Sequence, residues 1–174
     1  MKRVNVRGGA GWGHKLPGAN WGVNESHTEA TFHDVPIHAS FQMHSEEMWR
    51  GGRNGPLHAA WLAEKHSFPI YMQQKYPDVP ASKAFPRKKT DTLWPFASGP
   101  VYSDSFCYMV ALAITTGYKH IHLDSVFLQN EIEVYTEAPA FCMWLTIAAA
   151  HGIKVTEWPS RFLAPFSYGY EPRT

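Results

Sequence analysis

The sequence predicts an α/β fold built on a mostly parallel sheet. Short β-prone runs alternate with apolar, helix-like segments, which is typical of a parallel sheet with helices on both faces. The first β-prone run leads straight into a glycine cluster, as it does in many nucleotide-handling domains. The length of 174 residues suits one domain, and a hydrophobic share of 44% supplies one buried core. We therefore predict a single Rossmann-like three-layer domain over residues 1–174.

The first half of the chain has three β-prone runs before its first clear helix. Pro56 is suited to the first turn of that helix, because its ring fixes a helical φ and its missing N–H is not needed there. The elements predicted in this half are strands at Arg3–Arg7, Asn20–Asn24 and Ile37–His44, a helix at Leu57–His66 and a strand at Phe68–Met72.

The second half begins with a proline-rich stretch, Tyr76–Pro100, that predicts a long loop acting as a lid or linker. The apolar run that follows predicts a largely buried helix, which Asp104 or Ser103 can cap and Gly117 can end. The remaining predicted elements are a helix at Ser105–Thr116, a strand at Tyr118–Val126, a helix at Pro139–His151, a strand at Ile153–Glu157 and an aromatic tail from Ser160.

Composition excludes several classes of partner. Sixteen basic and fifteen acidic residues give a net charge of +1, so there is no global electrostatic case for binding nucleic acid or a membrane surface. No apolar run reaches the roughly 18 residues of a membrane span, and no signal peptide is visible, so we predict a cytoplasmic protein. Cys107 and Cys142 are predicted to be buried free thiols. The ten histidines lack metal-ligand spacing, so no metal or tightly bound cofactor is predicted.

The glycine cluster Gly8–Gly13 is the first candidate binding element. Glycines after a first strand let backbone N–H groups approach a phosphate closely, because no Cβ intervenes. The spacing Gly9-x-Gly11-x-Gly13 is not the full dinucleotide fingerprint G-x-G-x-x-G. Phosphate or nucleotide binding and a plain tight turn both remain open on these residues.

Ligands of open α/β sheets bind at the carboxyl ends of the strands, and this rule nominates further residues. The start of the helix at Asp104-Ser105 is expected to face the same crevice and to offer N–H donors and a hydroxyl to an anion. The residues nominated at the strand ends are Gly8–Gly13, Asn24, His44, Gln73 and Asp124-Ser125.

Several polar residues near these ends are candidates for chemistry. His122 and Asp124 alternate on one strand and therefore share a face, so they form either a general base with its orienter or a structural pair. His44 is a second candidate base. Arg50, in the loop HSEEMWRGGRNG, is either a bidentate ligand for a substrate anion or part of a surface turn. Tyr135, within an acidic stretch, is a candidate substrate contact.

Three segments resemble the bacterial sialyltransferases. The run FCYMVALAITTGYKHIHLDSVF is similar to that family's S-G-x-Y-M-x-A-x-A-I-x-L-G-Y-K-x-I-Y-L-x-G-I-D region, VRGGAGWG to its G-x-G-P-S loop, and EWPSRFLAPFSYGY to its C-P-N-S-L-L-A ending. Flagellin-glycosylation and pterin-pyrophosphokinase domains share this scaffold. Small phage-encoded proteins with W-G-V-N near the start and Y-G-Y near the end are also similar.

The resemblance implies a scaffold that holds a cytidine nucleotide sugar, with Gly9, Gly11, Asn24 and Ser105 as nucleotide contacts. The sequence departs from the family pattern at three places: Phe106 stands for a glycine, the G-I-D aspartate is absent, and the shortened lid at Leu128–Pro139 has no histidine.

The function predicted from these observations is binding of a nucleotide or nucleotide sugar, with glycosyl transfer as the reaction. The alternative is a non-catalytic phage module that sequesters a nucleotide or docks on a host protein. A third reading is a homo-oligomer formed through the aromatic tail. The predicted location becomes the host cytoplasm if the protein is phage-encoded.

Overall fold

A computed structural model describes residues 1–51, 55–126 and 133–157. Its strands are β1 Arg3–Arg7, β2 Ala19–Val23, β3 Ala39–Gln42, β4 Ile70–Met72, β5 Ser82–Ala84, β6 His120–Asp124 and β7 Lys154–Thr156. Its helices are α1 Ser26–Phe32, α2 Glu46–Arg50, α3 Gly55–Ala63, α4 Arg87–Thr90, α5 Ser105–Thr115 and α6 Ala138–Ala150, with a 3-10 turn at Asp91–Leu93 and a π-helical turn at Glu133–Glu137.

The seven strands form one sheet in the order β5-β4-β3-β2-β1-β6-β7. Every pairing is parallel, and β1 lies between β2 and β6 near the centre. Helices lie on both sides, so the predicted α/β three-layer architecture is confirmed. Because all strands point the same way, their carboxyl ends lie along one edge, which we call the carboxyl edge.

One side of the sheet, here the apolar face, forms the main core. Val6 of β1, Trp21 of β2 and Leu123 of β6 pack there against α5 and α6. The N-terminus of α5 is capped by the Asp104 carboxylate, which accepts a hydrogen bond from Cys107 N–H at 2.8 Å. Gly117, at φ 76°, lets the chain leave the helix in a left-handed conformation. The predicted helix over 105–116 is thus present.

The opposite side, here the polar face, carries buried polar side chains at the centre of the sheet. Asn5 and Arg7 of β1 and Asn20 of β2 are almost fully buried there. The segment 8–18, which joins two parallel strands without a helix, crosses this face. Trp12 in this segment is fully buried, and a Cβ on Gly22 of β2 would lie 2.8 Å from its ring, so Gly22 makes room for the indole.

Several elements differ from the prediction. The proline-rich segment contains strand β5 and the short helix α4 instead of one long loop, because β5 pairs with β4 and Phe85 N–H donates to Met72 C=O at 2.8 Å. The short helices α1 and α2 are additional. The predicted aromatic tail from Ser160 and the first part of the predicted lid, residues 128–132, lie outside the described residues.

The described part of the chain contains no helix that is both long and apolar enough to cross a bilayer. The two cysteines are free: Cys107 is buried, and Cys142 is only partly buried.

Candidate functional site

The carboxyl edge collects most of the residues that the sequence nominates. The starts of α5 and α6 lie at this edge, because each helix runs antiparallel to the strand that follows it. The far end of α5 is fixed at the opposite edge, where Lys2 Nζ donates to the Thr116 carbonyl at 2.8 Å. The glycine loop, Asn24, His44 and the end of β6 are therefore grouped near the beginning of α5.

The glycine loop, Gly8–Gly13, packs closely against the end of β6. Gly8 N–H donates to the Asp124 carbonyl at 2.9 Å, and Gly11 N–H donates to the Gly8 carbonyl at 3.1 Å. A Cβ on Gly8 or Gly11 would overlap the backbone carbonyls of Ser125 or Asp124, respectively. The missing Cβ of Gly11 therefore allows close packing against the Asp124 backbone of β6 rather than against a phosphate. Gly9 is different, because it is exposed and no described residue lies within 4 Å of the position that a Cβ would take.

A buried ion pair between the ends of β1 and β6 holds the glycine loop in place. Arg7 is fully buried at the end of β1, and its Nη1 lies 3.1 Å from Asp124 Oδ2. The same guanidinium donates to Asn20 Oδ1 at 3.1 Å, to the Gly11 carbonyl, and to the His14 carbonyl at 3.2 Å. Burial lowers the pKa of Arg7, and the neighbouring Asp124 carboxylate opposes that shift. Arg7 of β1 thus connects β2 and β6 to the glycine loop.

Asp124 also faces His14, which follows the glycine cluster. The distance from His14 Nε2 to Asp124 Oδ2 is 3.5 Å, and the His14 side chain is 58% exposed. The Asp124 side chain is only 7% exposed. Its Oδ2 accepts no aligned hydrogen bond from the residues that the structure describes. A buried acceptor therefore lies beside an accessible imidazole.

The predicted pairing of His122 with Asp124 is not a direct one. The two side chains share the polar face of β6, as the alternation predicts. However, His122 Nδ1 lies 3.0 Å from Thr156 Oγ1 on β7, and His120 Nε2 lies 2.8 Å from the same hydroxyl. Burial is the largest cause that lowers the pKa of both histidines. The hydroxyl of Thr156, rather than a carboxylate, orients His122.

Asn24 follows β2 and takes a left-handed conformation, with φ 45°. Its backbone N–H donates to the Phe41 carbonyl at 3.0 Å, which fixes it against β3. Its side-chain Oδ1 is buried and accepts no hydrogen bond from any described residue. A buried acceptor without a donor costs about 1–3 kcal/mol, so this amide oxygen is suited to a donor on a ligand.

His44 lies next to a group of rings between α1 and α3. His27 stacks on Trp61 with the ring centres 4.0 Å apart, and His27 Nε2 lies 3.2 Å from His58 Nδ1. Burial, together with a smaller contribution from the neighbouring His58, lowers the pKa of His27 to about 4. Burial also lowers the pKa of His58, with a smaller contribution from His44. At neutral pH, His27 and His58 are therefore uncharged.

The start of α5 does not present the free donors that were expected. The Asp104 carboxylate already caps the helix, so its negative charge occupies the place predicted for a ligand anion. Burial raises the pKa of Asp104. Ser103 Oγ also donates to the Glu137 carbonyl at 3.0 Å and ties α5 to the π-helical turn. Ser105, half-buried in the first turn, stays a predicted contact through its hydroxyl.

Two predicted substrate residues have different surroundings. The Arg50 guanidinium is bonded to both Asp78 oxygens, at 2.6 and 3.0 Å, and to Glu46 at 2.7 Å. It also lies over the Trp49 ring, so in this conformation its donors serve Asp78 and Glu46, and a contact of Arg50 with substrate stays a prediction. Tyr135 is 78% exposed in the π-helical turn and stays a predicted contact.

Sequence reasoning missed Arg7 and His14. The alternation within Arg3–Arg7 places Arg7 on the same face as Asn5, which is a signal that the position is polar but not that it is buried. His14 lies in a loop without periodicity, so no pattern indicates that it faces Asp124. Within the three described segments, no group of three or more histidine, cysteine, aspartate or glutamate side chains is arranged to hold a metal ion.

The architecture has counterparts among solved structures. The model is similar to the sialyltransferase CstII from Campylobacter jejuni in complex with the substrate analogue CMP-3FNeuAc, with a TM-score of 0.57 and 15% identity over 89% of this chain and 79% of that chain. The chain shares its fold with a sialyltransferase. A second structure of CstII, with cytidine-5'-monophosphate, matches with a TM-score of 0.50 and 15% identity over 89% of this chain and 78% of that one.

No protein-family model matches the chain, and no curated protein matches it.

Proposed function

We propose that this protein binds a nucleotide or nucleotide sugar at the carboxyl edge and transfers the sugar to an acceptor hydroxyl. The observation that carries the proposal is Asn24, whose buried Oδ1 accepts from no donor in the described part of the chain and lies at the strand end where ligands of parallel sheets bind. An amide oxygen accepts hydrogen bonds from ribose hydroxyls or from the amino group of a base. The fold similarity to a sialyltransferase solved with cytidine nucleotides supports this class of ligand.

The remaining predicted contacts have distinct roles in this proposal. The backbone N–H groups at and next to Gly9 are proposed to bind the phosphates. Gly11 instead allows the loop to pack against the Asp124 backbone of β6. Ser105 contributes its hydroxyl, and Tyr135 lies on the acceptor side. His44 and the His122–Asp124 face stay candidate bases. Because the sequence resembles small phage-encoded proteins, we also propose that the protein acts in the cytoplasm of a host cell.

The test is titration calorimetry of the purified protein with CMP, UMP, AMP and CMP-N-acetylneuraminic acid. The variant Asn24→Gly removes the side chain while keeping the left-handed backbone unstrained, and we expect roughly a tenfold loss of affinity, about 1.4 kcal/mol. Asp34→Gly is the matched control, because Asp34 also has a left-handed backbone, with φ 50°, and its exposed side chain pairs with Lys15, which is not a proposed nucleotide contact. Its affinity should equal that of the wild type.

Absence of binding to every compound of this panel would refute the proposal. Tight binding without release of the sugar to water or to any hydroxyl acceptor would instead select the non-catalytic binding module. The departures from the sialyltransferase pattern, above all the lid without a histidine, make this second outcome the one that most needs measurement.

A further inference from the structure

We infer that His14 is the general base of the proposed transfer and that Asp124 positions it. The inference rests on the proposed function, and it names a residue for which the sequence gives no motif. A transferase of this class needs a group that takes a proton from the acceptor hydroxyl, and imidazole suits that role at neutral pH. The segment between Val126 and Ala138 supplies no histidine.

The geometry of the pair has the two features that a base with its orienter requires. Asp124 is buried and rigidly held, since Arg7 lies 3.1 Å from its carboxylate and Gly8 N–H bonds its carbonyl. His14 Nε2 faces Asp124 Oδ2 at 3.5 Å, while more than half of the His14 side chain is accessible to a substrate. Catalytic hydrogen bonds are often this long without ligand and shorten when the substrate binds.

The unsatisfied oxygen of Asp124 makes this contact specific. An ionised carboxylate is only an acceptor, so the nitrogen that faces it must carry the proton. Oδ2 accepts no aligned hydrogen bond from any described residue, and the two donors that face it are Arg7 Nη1 at 3.1 Å and His14 Nε2 at 3.5 Å. When the substrate brings the imidazole closer, His14 Nε2 donates to Oδ2 and Nδ1 keeps the lone pair that accepts a proton.

A hydrogen bond from Arg7 also fixes the backbone of His14. Arg7 Nη2 donates to the His14 carbonyl at 3.2 Å, and Arg7 also holds the Gly11 carbonyl. The arginine thus sets the position of the glycine loop and of the base together. Because the proposed phosphate contact Gly9 lies in that loop, the imidazole is held close to the reacting part of the donor.

The step is a single displacement. The acceptor oxygen loses its proton to His14 Nδ1 and bonds to the anomeric carbon of the donor sugar. The bond between that carbon and the phosphate oxygen breaks, and its electron pair leaves with the nucleotide as a phosphate monoester. Water as the acceptor gives donor hydrolysis, so release of CMP from CMP-N-acetylneuraminic acid is a direct readout.

The experiment compares His14→Gln and His14→Ala with the wild type. Both substitutions are at an accessible side chain, so the fold should be retained, and circular dichroism checks this. We expect CMP affinity to stay within about twofold and the turnover number for CMP release to fall at least 100-fold. The rising limb of the pH–rate profile should disappear, and added imidazole should restore part of the activity of His14→Ala. His151→Gln is the control, since His151 is exposed after α6 at the opposite edge.

The pH profile must be read against the groups on adjoining elements. These are Arg7 on β1, Asp124 and His122 on β6, and Lys15 beside His14 in the loop. His122→Gln tests the other candidate base on this strand. Loss of the rising limb in His122→Gln, with its retention in His14→Gln, would assign the base to His122 and overturn the inference.

Three results would overturn the inference. They are His14 variants that turn over within threefold of the wild type, an unchanged pH profile in those variants, or nucleotide binding by the wild type without any release of the sugar. Failure of the wild type to bind a nucleotide is a different result, and it refutes the proposed function itself.

Discussion

The two faces of the sheet are covered by different kinds of contact at their centres. The apolar face buries Val6, Trp21 and Leu123 against α5 and α6, and its contacts are non-directional. On the polar face, Asn5 Nδ2 donates to Asn20 Oδ1 at 2.8 Å, and Arg7 donates to the same oxygen at 3.1 Å. The comparison shows that hydrophobic burial stabilises the apolar face throughout. On the polar face, directional bonds at the centre of the sheet fix the loop that carries the proposed site, and two smaller apolar clusters, around Trp12 and around Leu62, pack beside them.

The strongest test of this contrast is the removal of Arg7. In Arg7→Met, the Asp124 carboxylate stays buried without its partner, and the Gly11 and His14 carbonyls lose a donor. We expect the free energy of unfolding, measured by urea denaturation, to fall by about 3–5 kcal/mol.

The double variant Arg7→Met/Asp124→Asn shows whether the uncompensated charge causes that loss. It should be more stable than Arg7→Met, because the neutral amide has a smaller cost of burial than a carboxylate. If both variants lose the same free energy, hydrogen bonds to the loop rather than the ion pair dominate the polar face.

The apolar face is tested by Leu145→Ala on α6. Leu145 is fully buried, so we expect the free energy of unfolding to fall by about 3 kcal/mol through lost burial and an unfilled cavity. Leu57→Ala on α3 is the matched control, because Leu57 is 82% exposed and should change stability by less than about 0.5 kcal/mol. Nucleotide affinity should be the same in both variants, and a weaker affinity in Leu145→Ala would mean that the two faces are not separable.

The contrast also explains which parts of the structure could be predicted from sequence. The strands near β1 and the helices α5 and α6 have strong apolar patterns, because that face is stabilised by hydrophobic burial. Strand β5 has only three residues in a proline-rich segment, and its pairing with β4 is a tertiary effect that composition does not show.

The site divides in the same way. The end of the sheet at which Asn24, His44 and Asp124 gather follows from the parallel order, so it could be predicted. Their partners could not, because Arg7 and Asp124 come from distant parts of the chain and meet only when β1 pairs with β6. Arg50 could not be assigned from its polarity either, because its partners Asp78 and Glu46 become visible only in the structure, and its contact with a ligand stays a prediction.

The close contact between the glycine loop and β6 is tested by Gly11→Ala. The added Cβ would overlap the Asp124 backbone carbonyl, so the loop must shift, and we expect a loss of about 1–3 kcal/mol in the free energy of unfolding. Gly9→Ala is the matched control, because no atom of the described segments lies within 4 Å of its Cβ position. Equal stabilities of the two variants would show that the loop is not held against β6.

The smallest expected effect is a dependence of stability on pH through His27, which lies on the side of the sheet that bears the polar face. Burial lowers the pKa of His27 to about 4, whereas the unfolded chain titrates near 6.5. Between these values the unfolded state binds more protons than the folded state, so stability falls as the pH drops from 6.5 towards 4. The full shift corresponds to roughly 3 kcal/mol, and the partial exposure of His27 reduces the expected effect to about 1–2 kcal/mol.

Urea denaturation of the wild type and His27→Gln at pH 7 and pH 4.5 isolates this contribution from that of the carboxylates. The loss between the two pH values should be smaller in His27→Gln, because glutamine takes up no proton. His151→Gln should lose as much as the wild type, since His151 is exposed. If His27→Gln also loses as much, the stacked rings of His27 and Trp61 do not disfavour the charged imidazole, and the acid sensitivity of the protein arises from its carboxylates.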